Sequence, residues 1–377
     1  MKKKWIYIGA AAAIVILAVS AVWITFHQLS KPENTLDKLD EAVQEEDPEL
    51  LSEIIVPDDQ DAEVSTVTIQ ALINYLKKNN NSFQVIKDAM YDQIEKDDYS
   101  VTSQQVSLIQ EGKKWGLFPD YKLYVRTSTL KVSGQNDGDD VELSIKGLDQ
   151  PLQKDEDGVY GPLLPGNYEL LVSVKNDLTT ITEEKQVDAW RNNQVSVIVD
   201  TNKLMEQDEN IQKEIMQALD IFNNDLSKFT TSEFDLAAFS NVSGTYDEDQ
   251  VLFTSEFEVM REFIDEIQSQ YKGAIVNLDT LDIGYFNGEW TAEITAFVSY
   301  DEKVKVSGID EFEDFSFDAI RDYSLVYDSE EATWLIYDVM DSEADGSEPD
   351  EWENTEDMML DDPPVLKWNK EGSGTSI

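Results

Sequence analysis

The sequence predicts a multidomain α+β protein: one transmembrane helix, a small helical domain, a β-sandwich-like module, and a C-terminal domain of helices followed by antiparallel strands. Three observations carry that reading. An uncharged run of 22 residues extends from Trp5 to Phe26. The hydrophobic period changes from helix-like to strand-like near Ser100, and a long amphipathic helix begins near Asn202. At 377 residues the chain is too long for one average domain and long enough for two or three.

The first element is the N-terminal run. At about 1.5 Å of rise per residue it spans ~33 Å, enough for the hydrocarbon core of a bilayer. Lys2, Lys3 and Lys4 flank one side only, so residues 1–4 form a cytoplasmic stub, residues 5–26 span, and everything from about His27 lies outside. Trp5 and Trp23 sit near the two ends, where indoles favour the interface. The alternative is a cleaved signal peptide, because Val19-Ser20-Ala21 fits the small-residue pattern. The apolar run outlasts a signal core of about 7–15 residues, which favours the anchor.

Residues 27–115 form the predicted helical domain. Leu36, Leu39 and Val43 repeat at helical spacing until Asp47-Pro48. Leu50, Leu51 and Ile54 mark a second short helix. Ile69, Leu72, Ile73 and Leu76 make an i, i+3, i+4, i+7 face, Asn79-Asn80-Asn81 interrupts it, and Phe83, Ile86, Met90 and Ile94 continue as a helix. Residues 116–201 form the predicted β-module. Tyr121, Leu123 and Val125 alternate with Lys122, Tyr124 and Arg126, and the same alternation recurs at Val141, Leu143 and Ile145, then Tyr168, Leu170, Val172 and Val174, then Val195, Val197 and Val199.

Residues 202–341 form the predicted C-terminal domain. Ile211, Ile215, Leu219, Phe222, Leu226 and Phe229 stripe one helix face. A shorter helical stretch from Phe253 to Ile267 follows. Strands are expected over 275–287, 289–304, 315–327 and 333–338, with Asn287-Gly288 as a strong hairpin signal. Residues 342–377 hold eleven acidic residues and two lysines without periodic apolar positions, and are expected to be a disordered acidic tail.

Composition removes whole classes of function. There is no cysteine, so disulfides, thiol catalysis and cysteine-ligated zinc are excluded. One histidine, His27, is too little for a Ser/His/Asp triad or a histidine metal site. Asp and Glu number 78 against 29 Lys and Arg, a net charge of −49, so nucleic acid is repelled. A hydrophobic content of 41% nonetheless argues for folded domains under an acidic coat.

The motifs fail on inspection. Ser128-Thr129-Leu130-Lys131 fits the Ser-x-x-Lys pattern of penicillin-binding enzymes, but in a strand-like run its ends point to opposite faces. Two stretches mimic calcium loops, one around Asp155, Asp157 and Gly158, the other around Asp341, Glu343, Asp345 and Gly346. Each lacks the closing carboxylate, with Leu164 and Trp352 at the twelfth positions. The reading assigns no catalytic, cofactor-binding or metal residue and no cofactor, and leaves the ligand-binding residues unknown.

The order of parts resembles the TcaA family of single-pass envelope proteins of Gram-positive bacteria, linked to teicoplanin susceptibility. The similarity rests on the stretch Leu36-Asp37-Lys38-Leu39-Asp40-Glu41-Ala42-Val43, on Trp115-Gly116-Leu117-Phe118-Pro119 leading into the Tyr121 strand, and on Gly161-Pro162-Leu163-Leu164-Pro165-Gly166-Asn167-Tyr168. Only Met1 to Lys4 precede the apolar run here, without the cysteine-rich zinc ribbon of many members. The resemblance implies that residues 202–341 are a nuclear transport factor 2-like cone, a fold that often holds a pocket. Tyr285, Trp290, Phe297, Tyr323, Trp334 and Tyr337 are expected to fill its core rather than line a site.

The expected protein is therefore not an enzyme. It is a membrane-anchored extracellular scaffold whose partners are the membrane and a cell-wall component or envelope protein, acting in wall maintenance or antibiotic response. The alternative is a carboxylate-dependent extracytoplasmic hydrolase.

Overall fold

The computed structural model describes residues 16, 17, 20, 22–190, 194–243 and 257–372. The cytoplasmic stub, most of the expected membrane span and the start of the Phe253 stretch lie outside the described residues. Among the described residues no helix is long and apolar enough to cross a membrane. The chain divides into two units, the first built mainly from residues before 200, the second mainly from residues after.

In the first unit, helix α1 covers residues 22–29. Helix α2 (Glu33–Glu45) ends where Glu46 turns left-handed, and α3 (Pro48–Ser52) starts with the Asp47 carboxylate accepting from the Leu50 N–H. Strand β1 (Ile55–Pro57) follows. Helix α4 (Thr66–Lys78) opens on a Ser65/Thr68 capping box, and Asn79 separates it from α5 (Asn80–Lys96), where the asparagine run predicts a break. Strands β2 (Val106–Lys114) and β3 (Phe118–Val125) form a hairpin, and β3 pairs in parallel with β1. The Gln93 amide clamps α5 to β2, donating to the Leu108 carbonyl and accepting from its N–H.

That pairing moves a boundary. The break expected at 115/116 runs through the β2–β3 hairpin, whose strands share a sheet with β1 of the helical domain. Alternation alone assigns Phe118–Val125 to the next module, because sequence period carries no information about which strand is the partner.

The β-module comprises β4 (Ser128–Ser133), β5 (Asp140–Ile145), β6 (Val159–Leu163), β7 (Gly166–Lys175), β8 (Thr180–Ala189) and β9 (Gln194–Ile198). They form two three-stranded sheets, β6-β4-β9 and β5-β7-β8. Val141, Leu143, Ile145, Leu170, Val172 and Val174 are buried, as their alternation predicts. The helical and β parts do not have separate cores. Leu164 and Trp190 join the cluster built by Leu36, Leu72 and Met90, and Trp190 stacks on Tyr75 at 4.1 Å. At Gly166 a Cβ would lie 2.6 Å from the carbonyl carbon of Ala71, so only glycine lets β7 start against α4.

The second unit begins with α6 (Thr201–Glu206) and α7 (Glu209–Thr231), the latter capped by Asp208. Four long strands follow: β10 (Ile264–Phe286), β11 (Glu289–Val306), β13 (Phe317–Asp328) and β14 (Thr333–Glu343), with a short β12 (Glu313–Asp314) on β11. The β10–β11 turn is Asn287-Gly288, both with positive φ. Register shifts at Ile264/Glu266, Tyr271/Gly273 and Asn277/Asp282 mark bulges that bend the β10–β11 pair, and α7 packs on the sheet. Ile264 and Ile267 are strand residues, although the Phe253–Ile267 stretch reads as helical. Residues 257–260 keep the helix, and ladder pairing to Val306 and Val304 takes over from Ile264.

The tail is ordered within the described residues, against expectation. β14 runs on to Glu343, and β15 (Thr355–Asp357) and β16 (Leu366–Asn369) both pair with β10. Ladder pairing uses only the backbone, so an acidic sequence still docks on an open strand edge. Trp368 is buried against Phe257 and Ile267 and donates its indole N–H to Glu233. At Gly273, φ is +122° and a Cβ would lie 2.5 Å from the Cα of Met359, so the strap passes directly over a glycine.

Candidate functional site

The second unit encloses a pocket of about 740 Å³. Its wall follows from simple periodicity. On α7, Leu226, Phe229 and Thr230 lie one turn apart on the sheet-facing side. On β11, Glu302, Val304 and Val306 share one face, and on β13 so do Phe317 and Arg321. Phe234, Phe257, Met260, Phe263, Ile264 and Ile267 add further apolar surface.

The floor is polar and tightly connected. Arg321 is 2% exposed and makes two parallel bonds of 2.6 Å to the carboxylate of Asp341. Its remaining nitrogen donates to the Asn223 side-chain oxygen at 2.9 Å. Tyr323 and Tyr300 donate to the same oxygen at 2.9 and 3.1 Å, and the Asn223 amide donates to Tyr271. Burial raises the phenol of Tyr323, partly offset by Arg321, to about 12, and pushes Tyr300 well above the ordinary tyrosine value. These phenols are therefore protonated donors at neutral pH.

Glu302 also lines the wall. It lies 3.1 Å from the Ser269 hydroxyl, whose single proton serves either Glu302 or the Ser227 hydroxyl at 3.0 Å. Burial raises its carboxyl above the usual range, against the Ser269 hydrogen bond and the Arg321 charge. Among the lining residues the charged groups are two carboxylates and one guanidinium, and the guanidinium is held by Asp341. The arrangement accepts an apolar body with a neutral or cationic donor near Glu302, and disfavours an anion.

The six aromatics expected to fill the core lie outside this wall. Trp290, Phe297, Tyr323 and Trp334 are buried, Tyr285 and Tyr337 half-buried, and Tyr323 enters the network beneath the pocket. The sequence reading singles out none of Asn223, Glu302 and Arg321, and Asp341 stands there only in a rejected calcium-loop match. A signal exists for two of them. Arg321 stands on the inward face with Ala319, Tyr323 and Leu325, and Asn223 interrupts the apolar stripe of Leu219, Phe222 and Leu226. A polar group on an apolar face needs a buried partner.

The rejected motifs take ordinary structural places. Ser128 and Lys131 lie on β4, the first buried and the second exposed. Asp155 accepts from the N–H groups of Asp157 and Val159, and Asp345 from Ser347, as turn-forming carboxylates do. Among the described residues no group of three or more His, Cys, Asp or Glu is placed to hold a metal ion.

A bent antiparallel sheet with a helix packed on it and a pocket between them defines an NTF2-like domain, and the comparison with known families agrees. Residues 215–340 match the family model of the YvbJ NTF2-like domain. Residues 32–125 match that of the TcaA protein second domain, whose end falls at the close of β3. The two matches, to a TcaA second domain and to an NTF2-like domain, are consistent with the resemblance to the TcaA family. A curated relative, the "Uncharacterized membrane protein YvbJ" of Bacillus subtilis (strain 168), is 20% identical over 187 residues. That alignment spans 50% of this chain and 30% of the relative.

Proposed function

We propose that this is a membrane-anchored envelope protein whose NTF2-like domain holds an amphiphilic ligand without turning it over. The observation that carries the binding reading is the pocket itself: apolar walls whose one arginine is already paired with Asp341, and whose other charged group is the Glu302 carboxyl. The Trp5–Phe26 run and the membrane designation of the relative support the anchor. In this reading the part beyond His27 faces the wall, where the protein serves wall maintenance or the response to wall-active antibiotics through a wall component or envelope partner. A deletion strain with unchanged susceptibility to such antibiotics would remove that role.

Binding is tested with the whole chain in mild detergent. A dansylated alkylamine should bind more tightly than a dansylated fatty acid, and Val304→Trp, which fills the pocket, should abolish the difference. Equal binding of both probes by both proteins would sink the reading. Topology is tested with single cysteines in this cysteine-free chain: an impermeant reagent outside intact cells should label Asn34→Cys and spare Lys3→Cys.

A hydrolytic reading has one observation in its favour. Glu302, with its raised carboxyl, and Asp341 both line the pocket. Turnover of a wall glycan or lipid ester that survives purification and vanishes in Glu302→Gln would establish it.

A further inference from the structure

The β2–β3 turn is an unusual place for a tryptophan. Trp115 and Gly116 are its central residues, with φ +52° and +74°. Positive φ at both positions suits Asn-Gly or Gly-Gly, and a bulky aromatic there is conformationally costly. The indole is nevertheless 48% exposed, and Leu117 beside it is 66% exposed. Neither residue is placed there to fill the core.

The surroundings of this turn are equally particular. From Gly112 to Pro119 the tip carries Lys113 and Lys114 and no acidic residue, with Glu111 and Asp120 at its base, within a protein of net charge −49. The Lys114 ammonium lies 5.4 Å from the Trp115 ring centre. The turn also touches α1. Phe26 meets Trp115 at 4.4 Å between ring centres, and Trp23 meets Phe118 at 4.8 Å. Trp23 and Phe26 belong to the last turn of the 22-residue apolar run, so they lie at the outer boundary of any bilayer that run crosses. The contacts fix the depth of the hairpin tip at that same boundary.

We propose that the Lys113–Phe118 turn is a membrane-docking tip: Trp115 and Leu117 enter the headgroup layer of the bilayer beside α1, and Lys113 and Lys114 hold lipid phosphates. Tryptophan favours that layer, exposed leucine gains from leaving water, and lysines keep their ammonium groups at phosphate height. The local positive charge offsets the repulsion that an anionic leaflet exerts on the rest of the chain. With α1 and the tip as two attachment points, the β1–β3–β2 sheet is held at a set angle to the membrane rather than swinging from one tether. The inference rests on the anchoring reading.

The test uses the whole chain in vesicles of equal parts phosphatidylcholine and phosphatidylglycerol. Because the chain has no cysteine, Leu117→Cys and Gln150→Cys each carry a single nitrobenzoxadiazole label. Both positions are exposed, so neither substitution disturbs a core. Lipids bearing a nitroxide near the headgroup should quench the label at 117 strongly and the label at 150 weakly. Adding Trp115→Asp and Lys114→Glu to Leu117→Cys should return quenching at 117 to the value at 150. A chain that floats with the vesicles but shows equal quenching at both positions overturns the docking tip and leaves the anchor standing. A chain that fails to float overturns both.

Discussion

Arg321 and Asp341 stand directly opposite each other on β13 and β14, and their side chains close the pair with two hydrogen bonds of equal length. The arginine is buried and the carboxylate is 43% exposed, so the pair sits at the edge of the pocket with its positive member inside. Register places the two residues, and the bidentate geometry makes the arginine unavailable as a free anion site.

Breaking this pair from the acidic side leaves a buried charge without a partner. Asp341→Asn should cost about 2–3 kcal/mol, less than the ~3–5 kcal/mol of a fully buried pair because the carboxylate is partly solvated. Arg321→Met should cost less, since the exposed carboxylate rehydrates. Denaturant unfolding followed by tryptophan fluorescence reads both. A larger loss in Arg321→Met than in Asp341→Asn would show that the Asn223 hydrogen bond, not the ion pair, dominates.

Glu302 gives a pH dependence with a definite sign. Its carboxyl is raised in the folded state by burial, so folding favours its protonated form. That contribution is present at acid pH and is lost as pH climbs from the ordinary glutamate value through the raised one. Glu206, Glu214 and Asp220 of the same unit are raised as well, so the wild type alone is uninformative. The difference between Glu302→Gln and wild type isolates the effect, and the variant should gain relative stability between acid and neutral pH. A difference that stays flat would refute it.

Leu170→Ala empties a fully buried position on β7 and should cost about 2–5 kcal/mol. Because Leu164 and Trp190 sit in the helical core, the β-module and helices α2–α5 should lose protection together. A protease-resistant fragment starting near residue 200 should survive. Loss of that fragment in step with the rest would mean that the two units unfold as one.

Gly273→Ala tests the C-terminal strap. The added methyl would need the space of the Met359 backbone at a φ that L side chains rarely adopt. Cleavage within residues 358–369 should accelerate while α7 stays protected. An unchanged cleavage pattern would show that the strap is not seated on β10 in solution.

The elements were legible in the sequence where local rules decide them. The Asp47 and Asn79 breaks, the α7 stripe and the Asn287-Gly288 turn each follow from residues within a few positions of one another. What was not legible depends on partners far along the chain. Val125 alternates in the same way whether its strand pairs forward or back to Pro57, and Leu366-Lys367-Trp368 carries no mark of its ladder with Gln268. The pocket was half legible: Arg321 and Asn223 betray a buried polar site, but only the register with Asp341 reveals which carboxylate answers the arginine.

The strap also sets an order in time. The β10 edge occupied by Leu366–Asn369 lies about 100 residues upstream of its partner, in a chain made from the N-terminus at roughly 5–20 residues per second. For several seconds of synthesis, the β10 edge presents bare amides and carbonyls to its surroundings. With a net charge of −49, two copies of such a chain repel each other, which opposes capture of the wrong strand by either open edge.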